Sequence, residues 1–197
     1  MDPAGDEVPY LLHQNDELLS RVSDWYRREL RVDGFDVEFG GTAFSLALRG
    51  RSEEGPNIAR AGQGLQQVLP VVVFLSGMAA GLLDFSFLTI EEPELHLHPA
   101  AHGAVADLAI EAANARQSNQ VLIETHSENL VLRLRRRVAE GALRPSQLNL
   151  LWFDHSDPTG ATVRQVGVQD DGSVDHWPSG VFAEDYAEVQ GMIRARA

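Results

Sequence analysis

The chain has 197 residues, a formal net charge of −13 and no cysteine. The negative charge argues against broad, non-specific nucleic-acid binding by this chain alone, and the lack of cysteine excludes disulfides and thiolate metal sites. All 16 basic residues are arginine, so the sequence contains no phosphate-binding loop of the lysine-requiring G-x-x-x-x-G-K-[ST] type.

The first part of the chain predicts a helix followed by a β-hairpin. Asn15 or Asp16 can cap a helix that runs to about Arg31, because apolar residues recur there at helical spacing. The segments FDVEF and FSLAL alternate apolar and polar residues around Gly40-Gly41, which is typical of a hairpin.

We expect a soluble protein without a membrane partner. The N-terminal residues MDPAGDEVPY lack the charged-then-apolar profile of a signal peptide. The longest apolar run, residues 68–83, is interrupted by Pro70 and by glycines and is too short for a comfortable membrane span. Because the chain has no cysteine as well, a cytoplasmic location is expected.

From residue 58 onward, helix and strand patterns alternate. A glycine-rich turn, AGQG, leads into a helix of about Leu65 to Leu82, with Pro70 close to its first turn. Strand patterns lie at 85–90, 120–124 and 148–153, and helical patterns at 100–116 and 127–140. The alternation predicts an α/β fold, a mostly parallel sheet flanked by helices, with a small N-terminal helix and hairpin region.

The remaining residues predict a C-terminal hairpin and helix. Residues 162–168 and 173–177 read as a hairpin-like pair, and a last helix begins at about Ala183. We therefore expect three segments: an N-terminal helix and hairpin at 1–57, the central lobe at 58–155, and the C-terminal hairpin and helix at 156–197.

Two adjacent acids, Glu91 and Glu92, follow an apolar strand in the segment FLTIEEPELHLHP. In open α/β sheets, ligands bind at the carboxyl ends of the strands. Because side chains alternate along a strand, one acid could hold the water shell of Mg²⁺ while the other polarises an attacking water in phosphoryl transfer. The alternative is an acidic strand end whose Glu94 stabilises the dipole of the next helix.

A histidine, His126, follows the next apolar strand in VLIETHS. It lies at the same edge of the sheet if the two strands are neighbours. Its imidazole could then donate a hydrogen bond to a terminal phosphate. The alternative is a structural histidine, and the local sequence does not decide between the two.

The turn Gly62-Gln63-Gly64 opens the helix that continues through Gln66. Unpaired backbone N–H groups and the positive end of a helix dipole bind anions at such a place, so a phosphate contact is possible. The alternative, glycines that only form the turn, is the favoured one on local grounds.

Three more histidines, His96, His98 and His102, lie near Glu94. Their spacing does not match the known zinc patterns, so packing against neighbours is favoured over a metal site. A basic cluster is formed by Arg133, Arg135, Arg136 and Arg137. The solvated end of a helix is the favoured interpretation of this cluster, and a partner or nucleic-acid contact is the alternative.

Taken in order, these motifs resemble the C-terminal lobe of an ABC-type ATPase head. The resemblance is to the SMC/RecF-like and OLD-like AAA ATPases of the predicted-ATPase group, over roughly residues 35–190. The segment AGQGLQQVLPVVV resembles the signature region and helix, and VLIETHSENLVLRL resembles the switch-histidine strand and following helix. The most specific match is FLTIEEPELHLHP, which resembles the Walker B strand.

The resemblance implies ATP and Mg²⁺ as cofactors. It implies that Glu91 is the acid on the Mg²⁺ side, that Glu92 is the catalytic base and that His126 senses the γ-phosphate.

The resemblance also implies a dimeric mechanism, in which the signature-like turn meets the γ-phosphate of a nucleotide held by a second protomer. Gly62, Gly64 and Gln66 would make that contact. The family usually has a small hydroxyl residue where Gln66 stands, and a glutamine amide is a longer donor.

The missing Walker A half leaves three hypotheses. The leading one is an ATPase lobe that needs a P-loop-bearing partner or a missing N-terminal half, and possibly a DNA, defence or repair partner; the isolated chain would then be inactive. The second is a nucleotide-inactive protein-interaction module that retains the fold. The third is a metal-dependent nuclease, for which the available acids lie in apparent turns: Asp154, Asp157, Asp170 and Asp171.

Overall fold

The computed structural model describes residues 7–39, 44–49, 56–154, 160–177 and 191–194. The chain forms two compact units, Met1–Leu130 and Val131–Ala197. Of the helix predicted from about Ala183, residues 183–190 lie outside the described part, and residues 191–194 are helical.

The first unit begins with two helices, α1 (Val8–Gln14) and α2 (Asp16–Leu30). The predicted start of α2 is confirmed, since the side chain of Asn15 accepts a hydrogen bond of 2.9 Å from the backbone N–H of Leu18. The sequence did not predict α1, because seven residues are too few for a clear helical period.

The predicted hairpin is confirmed by β1 (Phe35–Phe39) and β2 (Phe44–Leu48), which pair antiparallel. Its Gly40-Gly41 turn lies outside the described residues. A short 3₁₀ turn, Ile58–Arg60, follows the hairpin and leads to the glycine-rich turn.

The core of this unit is formed by α3 (Gln63–Ala80), which packs against α2 and against α4 (Pro99–Ala115). The side chains buried most deeply where these three helices meet include Leu18, Val22 and Tyr26 of α2, Val72, Val73, Leu75 and Met78 of α3, and Val105 of α4. The Tyr26 hydroxyl donates a hydrogen bond of 2.7 Å to the carbonyl of Leu65. Burial raises the pKa of Tyr26 well above its usual value, because the apolar surroundings disfavour the phenolate.

The helix α3 differs from its prediction at its start. It begins two residues earlier than expected, so Pro70 is its eighth residue and lies in the interior instead of close to the first turn. A proline there removes one backbone hydrogen bond. Among the described residues, α3 is the one helix with the length and apolar content to cross a membrane. Half of it is buried in the unit, and core helices of soluble proteins meet the same criterion.

The sheet is smaller and less parallel than predicted. Within the described residues, β3 (Phe87–Glu91) and β4 (Gln120–Glu124) form one parallel pair, while the other two strand pairs are antiparallel. The α4 helix provides the crossover between β3 and β4. A mostly parallel sheet is therefore not found, although the predicted βαβ unit at its centre is present.

The second unit contains α5 (Glu128–Ala139) from Val131 onward, a 3₁₀ turn at Pro145–Gln147, and the strands β5 (Leu150–Asp154) and β6 (Thr162–Val166). The predicted hairpin-like pairing of 162–168 with 173–177 is present only near its turn, where Val168 bridges Val174 antiparallel and the N–H of Asp175 donates to the carbonyl of Gly167 at 3.0 Å. The strand β6 itself pairs antiparallel with β5, which the sequence did not predict.

Three arginines of the basic cluster have partners within this unit. The Nε of Arg135 donates to the carbonyl of Gly172 at 2.9 Å, and its guanidinium lies 5.8 Å from the centre of the Trp177 ring. Arg136 and Arg137 form ion pairs of 2.7 and 2.6 Å with Glu140. Their hydrogen bonds lower the pKa of the Glu140 carboxyl. These contacts favour a structural role for the cluster.

Candidate functional site at the ends of β3 and β4

The strands β3 and β4 end at the same edge because they are parallel and in register. Glu91, the last residue of β3, is paired with Glu124, the last residue of β4, and both side chains are exposed. The ladder continues for one more bond, in which the backbone N–H of Glu92 donates to the carbonyl of Glu124 at 2.8 Å. The residues that follow β3 and β4 therefore lie side by side at the same edge of the sheet.

This register brings together two of the predicted site residues. The Nε2 atom of His126 lies 3.4 Å from Oε1 of Glu92. The imidazole is 79% exposed and the Glu92 side chain 39% exposed, so both are accessible to a ligand. The expectation that Glu92 and His126 share one edge of the sheet is confirmed.

The backbone at Glu92 has a left-handed conformation, with φ of +44°. A side chain at such a φ is sterically disfavoured by roughly 1–2 kcal/mol. The turn that follows holds this conformation, since the N–H of Leu95 donates to the carbonyl of Glu92 at 3.0 Å. Backbone strain of this kind concentrates at functional sites, and here it belongs to the acid that faces His126.

Replacing Glu92 with glycine is expected to give a higher free energy of unfolding than replacing it with alanine, by about 1 kcal/mol. Both variants lose the carboxylate, but glycine alone adopts a positive φ without steric cost. Urea denaturation followed by circular dichroism measures the difference, and the alanine variant serves as the control. Equal stabilities would show that the backbone at this residue is not strained.

A third acid of the same turn, Glu94, is buried and faces the loop after β4. It is 8% exposed, and its Oε1 accepts hydrogen bonds from the Thr125 hydroxyl at 2.7 Å and from the backbone N–H of His126 at 2.8 Å. The alternative role considered for Glu94, stabilising the next helix dipole, is wrong, because its carboxylate is used between the two loops. His98 caps that helix instead, its Nδ1 accepting from the N–H of Ala100 at 3.2 Å.

His102 also joins the two loops. Its Nδ1 lies 2.7 Å from the Ser127 hydroxyl, and its Nε2 lies 3.3 Å from the carbonyl of Leu97. The carbonyl can only accept, so Nε2 carries the proton and Nδ1 accepts from the hydroxyl. In the part of the chain that the structure describes, no group of three His, Asp or Glu residues could hold a metal ion. The packing interpretation is therefore favoured for His98 and His102.

The glycine-rich turn lies against the loop that follows β3. A side-chain carbon added at Gly64 would lie 2.4 Å from the carbonyl oxygen of His96, so only glycine fits there without a shift. Gly62 precedes the first residue of α3 and has open space around it. The Gln66 amide donates to the carbonyl of Ala61 at 3.0 Å, which occupies one of its two N–H groups. A contact of Gly62, Gly64 and Gln66 with phosphate stays a prediction.

Two of the acids considered for a nuclease, Asp154 and Asp171, have local contacts in the structure. The Asp154 carboxylate lies 3.7 Å from the guanidinium of Arg164 on the neighbouring strand, where Arg164 is paired in the ladder with Trp152. Asp171 accepts from the backbone N–H of Ser173 at 2.8 Å, and the hydrogen bonds from Ser173 lower the pKa of Asp171. Asp157 lies outside the described residues. The turn chemistry expected for Asp171 is thus present.

A groove of about 410 Å³ opens elsewhere in the first unit, beside α2, α3 and α4. Its lining includes Arg21, Trp25 and Glu111 and none of the predicted site residues. Arg21 is paired there with Glu17 at 3.1 Å. This groove is therefore separate from the exposed strand ends that carry Glu92 and His126.

The fold is that of an SMC-type ATPase head. One similar solved structure comes from work on ATP-driven dimerization and DNA-stimulated activation of SMC ATPases. Its sequence is 9% identical and its TM-score is 0.56. The match covers 95% of this chain and 97% of that one. Another is an Smc head domain with an extended coiled coil from Pyrococcus furiosus, bound to the C-terminal domain of ScpA. It is 10% identical, with a TM-score of 0.56, and the match covers 91% of this chain and 38% of that one.

The chain belongs to the AAA ATPase domain family, whose pattern matches residues 9–131. The matched region contains α1 to α4, both strands of the parallel pair and the loop that carries His126. No curated protein matches the chain.

Proposed function

We propose that this chain supplies the catalytic edge of an ATPase of the SMC type. The observation that carries the proposal is the Glu92–His126 pair, 3.4 Å apart at the ends of two parallel, in-register strands. Glu91 and Glu92 form the Walker B acids, His126 is the switch histidine, and the turn at Gly62–Gln66 is the signature-like loop.

The two members of the pair have complementary chemistry. The Glu92 carboxylate accepts a hydrogen bond from a water molecule and orients it for attack on the terminal phosphate, as a general base does. The His126 imidazole donates a hydrogen bond to that phosphate and stabilises the charge that develops on it. Because both side chains are accessible, a nucleotide can reach them without rearrangement of β3 or β4.

The strand ends also suit a magnesium ion. Mg²⁺ is held by one or two carboxylates together with substrate phosphates and water. Glu91 offers one carboxylate, and Glu124, its partner across the ladder, offers a second on the neighbouring strand. Like charges directly opposite each other destabilise a strand pair, so a bound cation would relieve a local repulsion. When bound, the ion neutralises charge on the phosphates.

The P-loop must be supplied from outside these 197 residues. It is provided either by another segment of a longer polypeptide or by a partner chain. A second protomer completes the site, with the positive end of α3 at Gly62 and Gly64 directed at its nucleotide. The similar SMC ATPase is described as undergoing ATP-driven dimerization, which supports this arrangement. We place the chain in the OLD-like group of these ATPases, in the cytoplasm.

A reconstitution experiment tests this function. The chain is co-expressed with the P-loop-bearing segment, taken either from the same longer polypeptide or from a separate partner chain, and phosphate release from ATP is measured with and without Mg²⁺. We expect Mg²⁺-dependent hydrolysis by the complex and little or none by either chain alone. Binding of the two chains without nucleotide binding or hydrolysis would instead favour the interaction module, and DNA cleavage by the chain with a divalent cation would favour the nuclease.

A further inference from the structure

The buried carboxylate of Glu94 is costly for folding. Its Oε2 atom is buried and has no hydrogen-bond partner among the described residues, while Oε1 accepts two bonds. An unpaired buried polar atom costs free energy that an apolar side chain of similar size would not. Stability alone therefore does not explain a glutamate here, and residues that break packing rules are concentrated at functional sites.

The contacts of Glu94 tie together two loops that carry the catalytic pair. Its own carbonyl accepts from the N–H of Leu97 at 2.9 Å, within the same turn that begins at Glu92. Its side chain holds the backbone N–H of His126 and the hydroxyl of Thr125. The backbone of His126 is thus fixed relative to the turn that carries Glu92.

This fixation matters because the His126 side chain is 79% exposed, so burial among the described residues does little to hold the imidazole. Where the imidazole can reach depends on its backbone, whose N–H is bound by Glu94. The Thr125 hydroxyl extends the restraint, because it also accepts from the N–H of Ser127 at 3.0 Å.

We infer that Glu94 is a positioning residue: by binding the Thr125 hydroxyl and the His126 N–H, it sets the distance of the imidazole from Glu92. The inference rests on the proposed function, since it gives Glu94 a part in the ATPase reaction. In this role Glu94 acts through His126 and does not itself contact nucleotide or metal. A misplacement of about 1 Å in a catalytic group costs on the order of 100-fold in rate, so such a restraint has a large effect.

Amide hydrogen exchange on the full chain tests the restraint without nucleotide. In Glu94→Ala, exchange at the His126 N–H is expected to become at least about tenfold faster, because its acceptor is lost. In Glu94→Gln the amide oxygen still accepts, so exchange stays close to that of the wild type. Amides of α3 report on overall folding. Unchanged exchange at His126, or an equal increase throughout α3, would overturn the inference.

Kinetics of the reconstituted complex test the catalytic part. Thr125→Val removes the hydroxyl that donates to Glu94 and accepts from the Ser127 N–H, with little change in shape. We expect kcat to fall about 10- to 100-fold with KM unchanged. Thr125→Ser retains the hydroxyl and should restore kcat. If Thr125→Val leaves kcat unchanged, Glu94 holds the loop but does not serve the reaction. If the wild-type complex hydrolyses no ATP, the proposed function fails, and the exchange result still decides whether Glu94 holds His126.

Discussion

Replacing Glu92 with glutamine is expected to lower ATP hydrolysis by the reconstituted complex by at least about 100-fold, with nucleotide binding retained. The glutamine amide has nearly the same shape but accepts a proton poorly, so the attacking water is no longer activated. Steady-state phosphate release gives kcat, and titration with a fluorescent ATP analogue gives the affinity.

Glu111→Gln is the matched control for this substitution. Glu111 lies exposed on α4, away from the strand ends, and the same chemical change there should leave kcat within twofold of the wild type. Hydrolysis by Glu92→Gln at the wild-type rate would remove Glu92 from its proposed role as the base. Loss of nucleotide binding in the same variant would indicate a role in ligand binding instead.

The second large effect is expected at Gly64. In Gly64→Ala the new side-chain carbon would lie 2.4 Å from the carbonyl oxygen of His96 and 3.1 Å from its carbon. Because these are backbone atoms, they cannot swing aside as the end of a side chain can. The first turn of α3 must move away from the loop after β3, and we expect a loss of about 1–3 kcal/mol in the free energy of unfolding.

Gly62→Ala offers a control two residues away. No atom lies within 4 Å of the added carbon, and Gly62 has a φ of −61° that alanine readily adopts. Its free energy of unfolding should stay within about 0.5 kcal/mol of the wild type. Urea denaturation of both variants measures the contrast. Similar stabilities for the two would mean that the contact between Gly64 and His96 is not tight in solution.

The parallel pair and the edge at which its strands end could be predicted from the sequence because short apolar runs bounded by polar residues indicate strands. FLTI and VLI are short apolar runs, and each is followed directly by charged or polar residues. Since parallel strands end at a common edge, Glu92 and His126 were expected to meet there if β3 and β4 were neighbours, which the structure shows they are.

The role of Glu94 could not be predicted in the same way. Its partners Thr125 and His126 are more than thirty residues away, and the contact depends on the in-register pairing of β3 with β4. A single acid in a turn has no periodicity to reveal its surroundings. The positive φ of Glu92 is likewise set by the closure of the turn rather than by any residue preference.

The pairing of β6 with β5 could not be predicted because strand patterns do not specify partners. The sequence analysis expected a hairpin-like pair of 162–168 with 173–177, of which only the part near the turn is present. In the structure the ladder with Leu150–Asp154 pairs five residues on each strand, whereas the later segment offers a single bridge. The longer ladder satisfies more backbone hydrogen-bonding groups.

The outward face of the β3–β4 ladder has a practical consequence for handling the protein. Phe87 and Leu122 on this face are 57% and 54% exposed, and the ladder has only two strands in the described part of the chain. Strand edges without a neighbour, next to bare aromatic and aliphatic side chains, favour self-association. Purification together with the P-loop chain should therefore yield more monodisperse material than purification of the chain by itself.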